Sequence, residues 1–315
     1  MWRGEGKVTQ ENRFSFIGVT TGKSAIMRVF PEWARYLGLK HVRIVGYDLP
    51  IHAPAETYRS LVERLKRDPV ELGGLVTTHK IDLFHACRDL FDYIDPFAEL
   101  CHEVSCLSKD DGSFCVHAKD PISAGKSLDL ILDDGYWGRT GGHCLCLGAG
   151  GSAIAITLHL MTREADEDRP QRIVVVNRSE PRLRAMAKVH RQMGTPVSVE
   201  YVCSADPVAN DELVSLLPAG SLVINATGRG KDSPGSPITD AAVFPEGGIA
   251  WELNYRGELD FLHQAWRQVE PRGLAVHDGW EYFVFGWTAV LDEVFKLSLT
   301  DGQLRELSTI AKANR

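Results

Sequence analysis

The chain has 315 residues, 44% apolar and 24% charged, and carries a net charge of −7 at pH 7. That length buries a large core and divides naturally into two domains, while the acidic balance argues against a nucleic-acid partner, which calls for a basic face. No apolar run reaches the roughly 18 residues that span a bilayer, and the N-terminus lacks the apolar segment of a signal peptide. Seven cysteines (Cys87, Cys101, Cys106, Cys115, Cys144, Cys146, Cys203) form no Cys-x-x-Cys pair and lie mostly in apolar runs. The expectation is a cytoplasmic α/β protein with reduced core thiols, without disulfides or zinc ligands.

Residues 1–12 are polar and read as a frayed lead-in. Residues 14–19 read as a first strand, followed by Thr20-Thr21-Gly22-Lys23-Ser24, a turn rich in hydroxyl and amine groups. Ile26, Val29, Phe30, Trp33 and Leu37 then share one helical face. Pro31 inside that run predicts two short helices or a new start there, with Gly38 as a cap. A second strand is expected over 42–45, an amphipathic helix over 55–66, and a third strand over 74–77 that ends in Thr78-His79-Lys80. Residues 81–90 read as helix, and 104–107 with 113–117 as a hairpin around Asp110-Asp111-Gly112. Strand and helix alternate through this half, which predicts a mostly parallel, helix-covered sheet. Ala118-Lys119-Asp120-Pro121 leads into a connecting helix over 122–133.

An apolar run at 144–147 ends in Gly148-Ala149-Gly150-Gly151-Ser152, and Ala153, Ile154, Ala155, Ile156 and Leu158 open a helical pattern. Gly148 can make the turn, and Gly150 lets the backbone come close to a bound group. The helix N-terminus offers free N–H groups and a positive dipole end to a phosphate. A βα turn that binds nothing can carry the same glycines, so the context decides. Residues 172–176 read as a second buried parallel strand with Asn177-Arg178-Ser179 at its end. At that corner an acid accepts from a free ribose 2′-hydroxyl, whereas an arginine suits a 2′-phosphate. No acid is present and Arg178 is, so NADP is favoured, with NAD the second option. Twenty-nine positions separate Gly148 from Asn177, against a usual ~20, and the polar insert at 162–170 accounts for the excess.

Beyond this come an expected helix (180–193), strand (199–203), helix (210–217) and buried strand (222–226), then Thr227-Gly228-Arg229-Gly230. Strands at 249–254 and 274–277 complete a second sheet. The tail over 280–294 reads as a helix whose Tyr282, Phe283, Phe285 and Trp287 need a partner surface, expected on the first domain. The predicted architecture is two α/β domains: a substrate-binding catalytic domain (1–121 with 279–315) and a Rossmann dinucleotide-binding domain (122–278), with C-terminal helices packing back on the first.

This order of motifs resembles the shikimate/quinate dehydrogenase family over nearly the whole chain. The family's G-A-G-G-x-A loop stands as Gly148 to Ala153, its N-R-T corner as Asn177-Arg178-Ser179, and its I-N-A-T-x-x-G stretch as Ile224-Asn225-Ala226-Thr227-Gly228-Arg229-Gly230. Its V-T-x-P-x-K strand end is matched loosely by Leu75 to Lys80, and its N-T-D by Ala118-Lys119-Asp120. The resemblance implies that Gly148 to Ser152, Asn177, Arg178, Asn225, Ala226 and Thr227 bind the cofactor. It also implies that Lys80 and Asp120 form an acid–base dyad between the domains. Lysine could move the hydroxyl proton while the carboxylate orients it and shares the substrate hydroxyl. Read without the family, Lys80 is a surface lysine after a strand and Asp120 a helix N-cap beside Pro121.

The departures concern the substrate. The family's S-x-S-P-x-x-H-N grips a substrate carboxylate with two serines. Here Ser24 keeps the second, the first is Gly22, and the His-Asn pair is Arg28-Val29. The asparagines expected near Gly74 and before Asp120 are missing, and Ser105 replaces a third. The late glutamine of D-G-x-x-M-L-x-x-Q, set on Asp278 to Gly286, falls on Gly286, while Tyr255 keeps the family's substrate-side tyrosine. The expectation is an NADP-dependent dehydrogenase acting on a cyclic polyol or hydroxy acid other than shikimate itself. Thr20, Thr21, Lys23, Ser24, Thr78, Ser105 and Tyr255 would line the pocket. The partner is a small molecule and the protein a monomer or homodimer. Two other readings are a methylenetetrahydrofolate dehydrogenase/cyclohydrolase-like enzyme and a non-catalytic NADP-binding sensor.

Overall fold

A computed structural model describes residues 11–231 and 233–315. Most of the polar lead-in lies outside the described residues, and Asn12 already belongs to the first strand. The chain divides into two compact units, one of residues 1–119 with 287–315 and one of residues 120–286.

In the first unit, β1 (Asn12–Gly18), α1 (Ile26–Tyr36), β2 (Val42–Asp48), α2 (Ala55–Arg67), β3 (Glu71–Val76) and α3 (Lys80–Cys87) alternate. They are followed by β4 (Tyr93–Ile94), α4 (Pro96–Cys101) and the strands β5 (Cys106–Asp110) and β6 (Ser113–His117). The second unit holds α5 (Asp120–Ile131), α6 (Tyr136–Thr140), β7 (Cys144–Leu147), α7 (Gly151–Thr162), β8 (Arg172–Asn177) and α8 (Glu180–Arg191). Then come β9 (Ser198–Cys203), α9 (Pro207–Ser215), β10 (Leu222–Asn225), β11 (Ile249–Glu252), α10 (Asp260–Trp266), α11 (Val269–Arg272) and β12 (Ala275–His277). Helix α12 (Trp280–Phe295) begins in the second unit and runs on into the first, followed by α13 (Asp301–Ala313). No helix among the described residues is long and apolar enough to cross a membrane.

The first sheet has the order β2-β1-β3-β5-β6-β4. β1 runs parallel to β2 and β3, while β5 is antiparallel to both β3 and β6. The strand period of two sorts β1 between two layers. Ile17 joins Tyr58, Val62, Phe84 and Phe114 on one face. Phe14 and Phe16 meet Phe30, Trp287 and Phe295 on the other. The tail therefore packs on this sheet from Trp287 onward, and Trp33 Nε1 donates to Leu307 O (2.8 Å). Tyr282 and Phe283 lie elsewhere, against Trp251, Tyr255 and Trp280 of the second unit.

Pro31 does not divide α1, which is one helix with Pro31 inside. A mid-helix proline costs about 3 kcal/mol. The helix also buries Ile26, Val29, Phe30 and Trp33, each worth about 1.5–3 kcal/mol, so packing wins.

The second sheet is parallel throughout in the order β12-β11-β10-β7-β8-β9. β7 and β10 are buried along their whole length, as strands covered on both faces must be. The chain reverses its direction of winding between β7 and β10. Ligands of doubly wound sheets bind in the crevice outside the strand C-termini at such a point.

Candidate active site

The turn after β7 is built to stay small. Gly148 sits at φ +125°, and its N–H donates to Val176 O (2.7 Å). A Cβ there would stand 2.5 Å from Ala226 O. Gly150, the α7 N-cap, differs: its backbone is extended (φ −91°, ψ −177°) and an added Cβ would meet nothing within 4 Å. One glycine is therefore required by the protein, and the other keeps open the space before the first N–H groups of α7. Ala149 is buried, and Gly151 and Ser152 are half-buried. Beneath them, Thr157 Oγ1, the His190 ring and Tyr201 OH form a buried chain of hydrogen bonds (2.8 and 2.7 Å) joining α7, α8 and β9. Burial drives the His190 pKa down to about 4, so the ring is a neutral strut.

At the end of β8, Asn177 Nδ2 donates to Ser179 O (3.4 Å) and Asn177 O accepts from Ser204 N (3.1 Å). Arg178 is exposed at this corner, and among the described residues no carboxylate forms an ion pair with it. At the end of β10, Ala226 N donates to Leu147 O (2.7 Å), which seats this loop over the glycine turn. Asn225 is fully buried: Nδ2 donates to Glu252 Oε2 (2.6 Å), and Oδ1 accepts from Thr227 N and Oγ1 (3.1 and 2.7 Å). Asn225 thus shapes the Thr227–Gly230 loop, in which Thr227 is exposed, while Ala226, Gly228 and Arg229 are half-buried. Glu252, at the end of β11, is the anchor that the sequence reading missed. Burial pushes its carboxyl up to about 7 against bonds from Asn254 and Asn225.

Asp120 is the first residue of α5 rather than a cap preceding it, and is 7% exposed. Tyr282 OH donates to its Oδ2 (3.4 Å). Tyr255 packs its ring against Phe283 (4.4 Å) and Trp280 (5.5 Å).

In the first unit, Thr77 N donates to Ile17 O and Val76 N to Ser105 O (2.9 Å each). These bonds bring the Thr20–Ser24 turn, the Thr78–Lys80 turn and Ser105 to one edge, at the C-terminal ends of β1 and β3. Lys80 opens α3 and is half-buried, and its carbonyl accepts from Val104 N (3.1 Å). Thr78, exposed, takes a left-handed conformation (φ +50°) just before it. His79 is buried with Nδ1 on Tyr58 OH (3.0 Å), and burial lowers its pKa. Thr20 and Lys23 are exposed and Ser24 is buried. Two of the expected pocket hydroxyls are already committed. Thr21 is buried and donates to Asp48 through both N and Oγ1. Ser105 Oγ accepts from Lys119 N (2.6 Å) and donates to His117 O (3.4 Å).

No family model matches the chain. A shikimate dehydrogenase (NADP+) from Symbiobacterium thermophilum is 34% identical over 232 residues, 70% of this chain and 74% of its own. Among solved structures, shikimate dehydrogenase from Aquifex aeolicus superposes with a TM-score of 0.72 at 19% identity, covering 97% of this chain and 98% of its own. The ligand-free 5-ketofructose reductase of Gluconobacter sp. strain CHM43 does so with a TM-score of 0.65 at 16% identity, over 96% and 99%. At these identities the two structures speak for the fold alone.

Proposed function

The chain belongs to the shikimate dehydrogenase family, and on that premise we propose that it is an NADP-dependent oxidoreductase acting on a CH–OH group. The substrate is a secondary alcohol or ketone of a cyclic polyol or hydroxy acid of the shikimate and quinate kind. In this reading the first unit binds the substrate and the second binds NADP. With its thiols free and six of the seven buried, the protein suits a reducing compartment such as the cytoplasm. Family membership sets aside the methylenetetrahydrofolate dehydrogenase-like reading.

One observation carries the proposal: the open Gly150–Ser152 helix start lies at the winding reversal, with the exposed Arg178 at the end of the neighbouring strand. Gly150, Gly151 and Ser152 would meet the pyrophosphate, Arg178 the 2′-phosphate, and Ala226 and Thr227 the nicotinamide side. When bound, NADP supplies the hydride acceptor. Lys80 takes the hydroxyl proton and returns it in the reverse direction, and Asp120 holds that hydroxyl in line. Gly22, Arg28, Val29 and Gly286, together with the committed hydroxyl of Thr21, support a substrate that departs from shikimate, since a site made to hydrogen-bond particular hydroxyls discriminates sharply once those bonds change.

The test is cofactor reduction with shikimate, quinate, aminoshikimate and inositols, offered with NADP or NAD. Turnover of one compound that falls by about a hundredfold or more in Lys80→Ala, with NADP binding kept, supports the proposal. NADP binding with silence across the panel would favour a sensor instead.

A further inference from the structure

Asp120 is a carboxylate with little exposure, set at the first position of α5. A buried carboxylate is costly to hold unless its oxygens find donors. Tyr282, in the first turn of α12, supplies one by donating its hydroxyl to Oδ2 at 3.4 Å. The phenol is itself held: its ring stands edge-on to Trp251 (5.9 Å, 88°). Trp251 is 1% exposed on β11, next to the buried anchor Glu252. The support behind the hydroxyl is therefore a core strand rather than a loop. At 3.4 Å the bond is long, as acid–base hydrogen bonds are in ligand-free sites, where they tighten once substrate is in place. The family pattern quoted above has a methionine where this chain has Tyr282. Methionine cannot donate, so this hydroxyl belongs to this chain's own site.

We propose that Tyr282 is a positioning residue: its hydroxyl on Oδ2 fixes the orientation in which the Asp120 carboxylate meets the reacting hydroxyl of the substrate. This rests on the reading of Asp120 as part of the acid–base pair. A phenol suits the task because it donates without adding charge and lets the carboxylate rotate less freely. A carboxylate fixed in one orientation aligns the substrate hydroxyl in every encounter, so the gain falls on turnover rather than on binding.

The experiment uses the full chain and the compound that turns over fastest in the panel above. Tyr282→Phe should lower kcat by about tenfold while KM and the NADPH dissociation constant stay within about twofold. Tyr282→Met, which restores the family's residue, should lower kcat equally and serves if the phenylalanine variant folds poorly. Asp120→Asn should lose about a hundredfold, and adding Tyr282→Phe to it should lose nothing more, because residues that act through one another are not additive. Wild-type kcat in both Tyr282 variants, or losses that multiply in the double variant, overturn the proposal while leaving Asp120 in place. Full turnover in Asp120→Asn, or silence across the panel, overturns the reading beneath it and this inference with it.

Discussion

Thr21 gives both its amide and its hydroxyl to a single oxygen, Oδ1 of Asp48, at 2.7 and 2.6 Å. The pairing fixes the turn after β1 to the end of β2, and it removes Thr21 from the hydroxyls that could greet a substrate. Its side chain also fills the space over Gly46, where a Cβ would stand 2.9 Å from Thr21 Cβ. Thr21→Val should therefore lower the unfolding free energy by about 1–3 kcal/mol, the cost of removing a donor from a bonded acceptor, and leave the substrate KM within about twofold. Ser24→Ala, by contrast, should raise KM several-fold. Denaturation midpoints and KM values on both variants check the pair. A raised KM in Thr21→Val with unchanged stability would return Thr21 to the pocket.

The glycines of the nucleotide turn separate folding from binding. Gly148→Ala forces a side chain into a left-handed backbone 2.5 Å from a carbonyl. It should yield little folded protein, since such strain adds to the ordinary penalty of a positive φ. Gly150→Ala meets no protein atom within 4 Å. It should fold normally and lose about tenfold or more in NADPH affinity, because the methyl group enters the space beside the helix N-terminus. Circular dichroism and fluorescence titration of NADPH distinguish the two. Normal NADPH binding by Gly150→Ala would move the phosphate site away from this turn.

The centre of the second sheet was legible because β7, β8 and β10 are buried over most of their length, so the runs at 144–147, 172–176 and 222–226 stand out as apolar blocks with a glycine or asparagine at or beside their ends. The first sheet was less so. β4 has only two residues and no period to detect. α4 opens at Asp95-Pro96, a capping signal with no apolar period behind it, with Asp95 accepting from Phe97 N and Ala98 N. The single helix through Pro31 depended on a face whose burial only the folded chain reveals. At the site, the motif residues could be named from sequence, but their partners could not. Glu252 under Asn225, Asp48 on Thr21 and Tyr282 on Asp120 lie 27, 27 and 162 positions apart, and local patterns carry no information at those separations. An acid closing the apolar strand Ile249–Glu252 was the one available signal for the first of them.

Arg178 decides between the two nicotinamide cofactors. It is exposed and has no carboxylate partner among the described residues, so its removal should cost the fold nothing. Arg178→Ala should weaken NADPH by about 1–3 kcal/mol, roughly fivefold to over a hundredfold, and leave NADH almost unchanged. Isothermal titration with both cofactors is the check. Equal losses would make Arg178 a structural part of the corner, and no loss would mean that the 2′-phosphate is bound elsewhere.

Glu71 opens β3, at the opposite end of the strand from the Lys80 turn, and is 1% exposed. Ser15 Oγ donates to it at 2.5 Å and Arg13 Nε lies 3.7 Å away. Burial still dominates, lifting its carboxyl from 4.5 to about 7. A carboxyl raised on folding means that the native state holds the proton more tightly than the unfolded chain. Stability therefore falls as pH rises through the window from 4.5 to 7, and the cost, about 3 kcal/mol on this shift, is complete above it. Glutamine keeps an acceptor for Ser15 and does not titrate. Glu71→Gln should match the wild type near pH 4.5 and gain on it steadily up to pH 7.5, with activity unchanged because the substitution is far from the site edge. Urea denaturation at intervals across that range is the measurement. Parallel stability curves for the two proteins would mean that Arg13 and Ser15 keep Glu71 ionised throughout, and that the pH dependence comes from other groups.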